Sequence, residues 1–134
     1  MNEYMEHIMD HYKNPHNKGK LKKLDIKNKE KNPACGDEIE INVKLKKGII
    51  HDIRFDGYGC AISQAAASLV TDFVKGKNVN DVLKLTKQDV LGLLGIDVAP
   101  MRIKCAMLGL RVLQRGILQH KGMKKTEILL SDIG

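Results

Sequence analysis

Three cysteines stand in local sequences that favour chemistry over simple burial: Cys35, Cys60 and Cys105. Cys35 lies in a turn-forming stretch, residues 32–37 (NPACGD), whose proline restrains the backbone on one side and whose glycine relaxes it on the other. Such a turn allows the Cys35 thiol and the Asp37 carboxylate to approach one point. The stretch therefore offers two candidate ligands side by side.

The other two cysteines are predicted to lie at the beginnings of helices. Cys60 follows the turn sequence Gly-Tyr-Gly, and the unpaired N–H groups of the helix that it begins favour negative charge nearby. Cys105 belongs to the first turns of the last predicted helix, with Arg102 and Lys104 close to it in sequence. Both thiols are therefore candidates for ligation or sulfur chemistry.

Three thiolates and one carboxylate make a four-ligand set for one metal ion or an iron–sulfur unit. The cysteines are 25 and 45 positions apart, and no Cys-x-x-Cys pair is present, so the whole fold has to assemble the site. This spacing disfavours a local zinc knuckle and a purely structural zinc module. Two other interpretations stay open: small buried cysteine side chains, and a cysteine hydrolase, which needs a histidine beside its thiol.

The elements that must position these residues are predicted as strands first and helices after them. Residues 4–12 have helical spacing, residues 21–26 are a candidate edge strand, and residues 37–56 alternate as a β-hairpin. The apolar face of the second hairpin strand is predicted to carry Ile49, His51, Ile53 and Phe55. This order predicts a single α+β domain over residues 1–134, with helices packed on one face of an antiparallel sheet.

Helix signals punctuate the second half of the chain. An alanine-rich helix is predicted over residues 61–75, closed by a glycine, and Asn80 is a candidate cap for a short helix after it. Thr86 and Asp89 form a capping box for a further helix. Pro100 suits the first position of a last long helix that extends to residue 119.

The composition indicates a folded chain outside membranes. Of 134 residues, 43% are hydrophobic and 29% charged, and no apolar run approaches the roughly 18 residues of a membrane span. An odd number of cysteines and the absence of a secretory signal predict reduced thiols in the cytoplasm. The net charge is +7, with seven lysines between residues 18 and 31. Without Trp or a nucleic-acid-binding motif, we interpret this run as a solvated face or a surface for an acidic protein.

Four sequence blocks make the chain recognisable. They are residues 10–15 (DHYKNP) with Asn17 and Gly19, residues 32–37 (NPACGD), residues 57–63 (GYGCAIS) and residues 100–105 (PMRIKC). In these blocks and their order the chain resembles the IscU/NifU-N/SufU family of iron–sulfur cluster assembly scaffolds.

The resemblance implies a fold, a function and a set of site residues. The fold would be an α+β unit with a three-stranded antiparallel sheet and helices on one face. A scaffold of this kind accepts persulfide sulfur from a cysteine desulfurase, builds a [2Fe–2S] cluster and passes it to apo-proteins, and it is a carrier rather than an enzyme. The cluster ligands would be Cys35, Asp37, Cys60 and Cys105, with Cys105 as the sulfur acceptor. Whether the loaded chain is a monomer or a homodimer stays open.

The chain departs from IscU proper at two places. Lys104 stands where a histidine normally precedes the third cysteine, so Asp37 is the better candidate for the fourth ligand and Lys104 a candidate cation beside the site. This Lys-Cys-Ala form resembles SufU, whose zinc-dependent sulfurtransferase activity is the alternative function, with Zn²⁺ on the same four residues. The segment before Cys105 also lacks the Leu-Pro-Pro-Val-Lys stretch by which a dedicated heat-shock chaperone binds bacterial IscU. This difference argues against recognition of the chain by that chaperone.

Overall fold

A three-stranded antiparallel sheet, whose strands lie side by side in chain order, and five helices make up the part of the chain that the computed structural model describes, residues 3–33 and 36–123. In chain order the elements are α1 (Glu3–Lys13), β1 (Ile26–Asn32), β2 (Asp37–Lys46), β3 (Ile49–Tyr58), α2 (Ala61–Val74), α3 (Val79–Val82), α4 (Lys87–Leu94) and α5 (Pro100–His120). The predicted α+β class and antiparallel sheet are confirmed.

The hairpin of β2 and β3 lies where the sequence predicts it. The chain reverses at Lys47 and Gly48, whose φ angles are both positive, 53° and 76°. Two residues of this conformation match the twist of the strands that they join.

A bulge changes which residues of β3 face the core. The register of β2 against β3 shifts between Lys44 and Leu45, so that Leu45 pairs with Ile50. Ile50 is consequently buried, whereas His51 is exposed and Ile49 is only half-buried. The predicted apolar face is wrong at Ile49 and His51 and right at its last two members, because one extra residue moves the alternation to the other face.

The first strand lies later in the chain than predicted. The candidate strand at residues 21–26 is wrong, since β1 occupies Ile26–Asn32, from Ile26 opposite Val43 to Asn32 opposite Asp37. Apolar alternation could not reveal it, because its outward positions are lysines and Ile26 is its only apolar residue. Pairing with β2 organises this edge strand, and the side chains of Lys27, Lys29 and Lys31 are more than half exposed, as a solvated face requires.

The helices that carry the two described cysteines cross each other above the sheet. Helix α5 packs on β1 and β2, and α2 packs on α5, α1 and β3. At the crossing, a Cβ added to Gly109 would lie 3.3 Å from the Cβ of Ala67, so small residues allow α2 and α5 to approach closely. The core between the helices and the sheet includes Ile39, Ile41, Val43, Phe55, Leu110 and Leu113.

The short helices begin at caps of two kinds. Thr86 and Asp89 form the predicted capping box at the start of α4. The cap of α3 is Asn78, whose side chain accepts a hydrogen bond from the Asn80 backbone N–H, so the prediction of Asn80 as the cap is wrong by two positions. Both asparagines lie at the same turn, and only the backbone conformation distinguishes them.

Gln114 ties α5 to the segment around α3. Its buried amide Nε2 donates to the backbone carbonyls of Val82 (3.1 Å) and Leu85 (3.0 Å). We expect Gln114→Leu to lower the free energy of unfolding by about 1–3 kcal/mol, because the buried carbonyl oxygen of Val82 and the partly buried one of Leu85 lose their donor. Gln119→Leu, on an exposed position of the same helix, should change it by less than about 0.5 kcal/mol. Equal urea midpoints for the two variants would contradict this role.

No helix within the described residues combines the length and the apolar character needed to span a bilayer.

Candidate functional site

Three of the four predicted ligands come from the ends of three different elements. Asp37 is the first residue of β2, Cys60 is the residue that precedes the first turn of α2, and Cys105 lies in the second turn of α5. The structure brings one ligand atom from each of them within 4.8 Å of the others. Among the residues that the structure describes, no other group of three or more His, Cys, Asp or Glu side chains converges in this way. Cys35, the fourth predicted ligand, lies outside the described residues.

Asp37 connects the sheet to the start of α2. Its carboxylate is almost completely buried, and Oδ1 accepts a hydrogen bond from the Cys60 backbone N–H at 3.0 Å. The Cys60 thiol lies 3.8 Å from Oδ2. The carboxylate thus stabilises the first turn of α2, where the unpaired N–H groups attract negative charge, and it holds an oxygen beside the sulfur.

Two glycines allow the turn before Cys60 to lie directly on β2. Gly57 has a φ of +136°, and a Cβ there would lie 2.0 Å from the carbonyl oxygen of Glu38. A Cβ on Gly59 would lie 2.5 Å from both Asp37 Oδ1 and Ser63 Oγ. Since real Cβ atoms do not approach so closely, side chains at these positions would push the turn away from the carboxylate.

Lys18 holds the same turn from its other side. Its ammonium donates to the carbonyl oxygen of Gly57 at 3.0 Å and to Gln64 Oε1 at 3.3 Å, and it lies over the ring of Phe55. The loop that carries Lys18 reaches this place because it pairs with the outer edge of β3, where Gly19 N–H donates to Phe55 O. The lysine between Asn17 and Gly19 of the first sequence block therefore supports the turn that ends at Cys60.

Arg102 is a cation close to the two thiols. Hydrogen bonding of its guanidinium to Cys105, and the negative charges of Cys60 and Cys105, raise the pKa of Arg102 above its usual value. The sequence indicates Arg102 only as one of two cations near Cys105 and favours Lys104 as the candidate. The missed signal is helical spacing, because residues three apart share a helix face and adjacent residues do not. Lys104 is exposed, and its place beside the site stays a prediction.

We expect Arg102→Gln to weaken metal or cluster retention by about tenfold, because the guanidinium offsets the negative charge of the thiolates and the carboxylate. Lys104→Gln removes the same charge from a neighbouring exposed position and serves as the matched control. The measurement is the rate of metal loss to a chelator. If the lysine variant lost metal as fast as the arginine variant, net charge alone would explain the effect and the contact would have no special role.

The described ligand atoms suit a borderline or soft metal. Thiolate sulfur is a preferred ligand of zinc and of iron–sulfur units, and a carboxylate oxygen completes sites for either. Cys105 is almost fully buried and Cys60 is half-buried, so one side of the set faces solvent. This arrangement can hold a metal while leaving one side accessible to a partner.

Comparison with known proteins shows to which family the chain belongs. A family model described as the NifU-like N-terminal domain matches residues 3–127. The chain belongs to this family. The family resemblance stated from the four sequence blocks is therefore confirmed.

Two similar proteins have names that state different roles. The chain is 38% identical to the zinc-dependent sulfurtransferase SufU of Bacillus subtilis, covering 89% of this chain and 92% of that protein. It is 32% identical to the iron–sulfur cluster assembly scaffold protein IscU of Escherichia coli, covering 92% and 98%. Among the relatives, scaffold proteins and a sulfurtransferase thus share this domain.

Solved structures have the same fold. A protein proposed as the iron–sulfur cluster assembly scaffold of the SUF system in Fervidobacterium islandicum aligns with a TM-score of 0.73 at 26% identity, covering 87% of this chain and 99% of that one. The N-terminal part of a NifU-like protein from Brucella abortus aligns with a TM-score of 0.72 at 17% identity, covering 88% and 94%. The second likeness concerns the fold alone.

Proposed function

We propose that this chain is a scaffold on which iron–sulfur clusters are assembled. It accepts persulfide sulfur from a cysteine desulfurase, combines it with iron as a [2Fe–2S] cluster on Cys35, Asp37, Cys60 and Cys105, and transfers the cluster to apo-proteins. The observation that carries this proposal is the convergence of Asp37, Cys60 and Cys105 within 4.8 Å, in a chain of this family. In this role the chain is a carrier and the cluster is its cargo.

The mixed ligand set suits a carrier that has to release its cargo. Four thiolates hold iron firmly, whereas a hard carboxylate oxygen is a weaker and more rapidly exchanging ligand of a cluster iron. Asp37 is therefore the corner at which a thiol of an acceptor protein would enter. The hydrogen bond from Cys60 N–H to Oδ1 orients the carboxylate, and the Cys60 thiol lies 3.8 Å from Oδ2.

Sulfur acceptance is assigned to Cys105, where the described geometry sets a condition. Only 1% of Cys105 is exposed, so a persulfide sulfur cannot reach it unless the site opens when the desulfurase docks. Its neighbour Met101 is 80% exposed and Tyr58, at the end of β3, is 55% exposed. Such large exposed side chains, at the start of α5 and at the end of β3 just before Cys60, are suited to contact a partner.

A second function is favoured by a specific observation. The similarity to the zinc-dependent sulfurtransferase SufU extends over 89% of the chain, and the same residues would bind Zn²⁺ in place of a cluster. In that role Zn²⁺ occupies the ligands that cluster assembly needs, and Cys105 leaves the metal to accept the persulfide. The two functions therefore exclude each other in any one molecule.

The deciding experiment is anaerobic reconstitution with iron, cysteine, a reductant and a cysteine desulfurase. Visible absorption is followed, and iron, sulfide and zinc are then measured. The scaffold function predicts a chromophore with iron and sulfide in roughly equal amounts, lost in Cys35→Ala and Cys60→Ala. Asp81→Ala, which removes an exposed carboxylate from α3, away from the site, should keep it.

Retained zinc without a chromophore, together with faster desulfurase turnover, would overturn the scaffold proposal and support sulfur relay. If the chain neither retained a metal nor stimulated the desulfurase, both the scaffold function and the sulfurtransferase function would be overturned. We place this activity in the cytoplasm, with the desulfurase and the acceptor proteins as its partners, and do not assign it to nucleic acid or to a membrane surface. Sedimentation of the loaded chain distinguishes a monomer from a homodimer.

A further inference from the structure

Three of the five histidines lie together beside helix α2, outside the thiol site. His7 and His11 are four positions apart in α1 and so share one face of that helix, and His16 follows in the next loop. The ring centroids of His7 and His11 are 4.7 Å apart, and those of His11 and His16 are 4.5 Å apart. Nothing in the proposed scaffold function uses this group of imidazoles.

Two of the rings are already held through one nitrogen each. His11 Nδ1 lies 2.7 Å from Ser68 Oγ, and His16 Nδ1 lies 2.5 Å from Asp72 Oδ2. Metal-binding histidines commonly hold one ring nitrogen on a carboxylate or another oxygen while the second nitrogen binds the metal. In both rings Nε2 is the nitrogen that remains for such a ligand.

A network on α2 fixes the position of His16. Its backbone N–H donates to Ser68 Oγ at 2.8 Å, and the other oxygen of Asp72 accepts from Asn17 Nδ2 at 2.8 Å. Asn17 also donates to Thr71 Oγ1 at 3.0 Å. The loop after α1 is therefore anchored to α2 on both sides of the His16 ring, and the ring does not have to be ordered when a ligand binds.

We propose that His7, His11 and His16 form a site for a divalent transition-metal ion of the kind that imidazole prefers, such as Ni²⁺, Cu²⁺ or Zn²⁺. His11 and His16 supply two preset ligands, and the exposed His7 turns its ring to supply the third. That rotation is required because, within residues 3–33 and 36–123, only Asp37, Cys60 and Cys105 already bring three ligand atoms within 4.8 Å. Water completes the coordination.

This site is separate from the thiol site. Ser68, which holds His11, follows Cys60 along α2 by about 12 Å of helix. Imidazole ligands also select metals differently from thiolates, so the two sites need not compete for one ion. The alternative is that the three rings only pack against each other and bind nothing.

The test uses the untagged full chain, first loaded with one equivalent of Zn²⁺ so that the softer thiolates are occupied. Ni²⁺ is then titrated calorimetrically, and histidine ring signals are followed by NMR. We expect one Ni²⁺ per chain and selective broadening of the His7, His11 and His16 signals. His7→Gln and His16→Gln should each weaken binding by at least about tenfold, and Asp72→Asn by about 10–100-fold.

The matched controls are His51→Gln and His120→Gln, which remove exposed histidines from other elements. They should leave Ni²⁺ affinity unchanged. The proposal would be overturned if the chain bound no Ni²⁺, or if His7→Gln and His16→Gln bound Ni²⁺ as tightly as the parent chain. Broadening centred on His51 or His120 would overturn it as well. Because the broadened signals identify the site directly, this outcome is independent of whether the chain is a scaffold or a sulfurtransferase.

Discussion

Replacing Asp37 by cysteine is expected to give a chain that still assembles a cluster but transfers it at least about tenfold more slowly, a rise of ~1.4 kcal/mol in the barrier to transfer. The physical reason is the loss of the one oxygen ligand. A fourth thiolate binds iron more firmly than a carboxylate, so an incoming acceptor thiol meets no weak corner. Transfer to an apo-ferredoxin, followed by circular dichroism in the visible range, measures the rate.

The control for this substitution is Glu38→Cys. Glu38 is the next residue of β2, and its side chain lies on the opposite face of the sheet, where it ion-pairs with Lys29 at 3.6 Å. It adds the same thiol to the chain outside the site, and transfer should proceed at the parent rate. If Asp37→Cys also matched the parent rate, the carboxylate would not be the labile ligand.

Gly59→Ala is expected to reduce the cluster or metal bound by at least about tenfold while leaving a folded chain. The added Cβ would lie 2.5 Å from Asp37 Oδ1 and 2.7 Å from Asp37 Cγ. Relief of this overlap has to displace either the carboxylate or the turn, and overpacking of this kind costs about 1–3 kcal/mol of stability. The hydrogen bond from Cys60 N–H to the same oxygen would be lost with it.

Gly92→Ala provides the matched comparison. Gly92 lies on an exposed position of α4, and an added Cβ meets no atom within 4 Å. In an exposed helix this change should stabilise the chain by about 0.5–1 kcal/mol and leave metal binding intact. Metal analysis and thermal unfolding of both variants separate a local effect on the site from a general effect on stability. Full metal occupancy in Gly59→Ala would show that the close approach is not needed.

Local sequence signals predicted most of the elements. Alternation located the hairpin, and Pro100, the Thr86–Asp89 box and the alanine-rich run located three helices, because each of these signals acts over a few residues. β1 escaped prediction, since its residues have little intrinsic preference for a strand and only their partner β2 orders them. The bulge at Lys44–Leu45 escaped for a similar reason, because it is a property of the pair of strands.

The candidate site could be predicted as a set of residues but not as a geometry. Cys60 and Asp37 stand beside turn-forming glycines, which marked them locally. Their contact joins residues 23 positions apart, through the pairing of β2 with β3. Helical spacing predicts that Arg102 lies near Cys105, but its approach to Cys60 depends on how α5 packs against α2.

By itself, the amino-acid sequence determined which side chains are available for chemistry: soft thiols and one carboxylate beside turns, without any local cysteine pair. It thereby determined that a metal or sulfur function must depend on the whole fold. The tertiary structure alone decided that Asp37, Cys60 and Cys105 meet within 4.8 Å, that Arg102 approaches Cys60 as well as Cys105, and that His11 and His16 are fixed on α2. Residue types follow from local sequence, whereas these distances arise from strand register and helix crossing, which long-range packing fixes cooperatively.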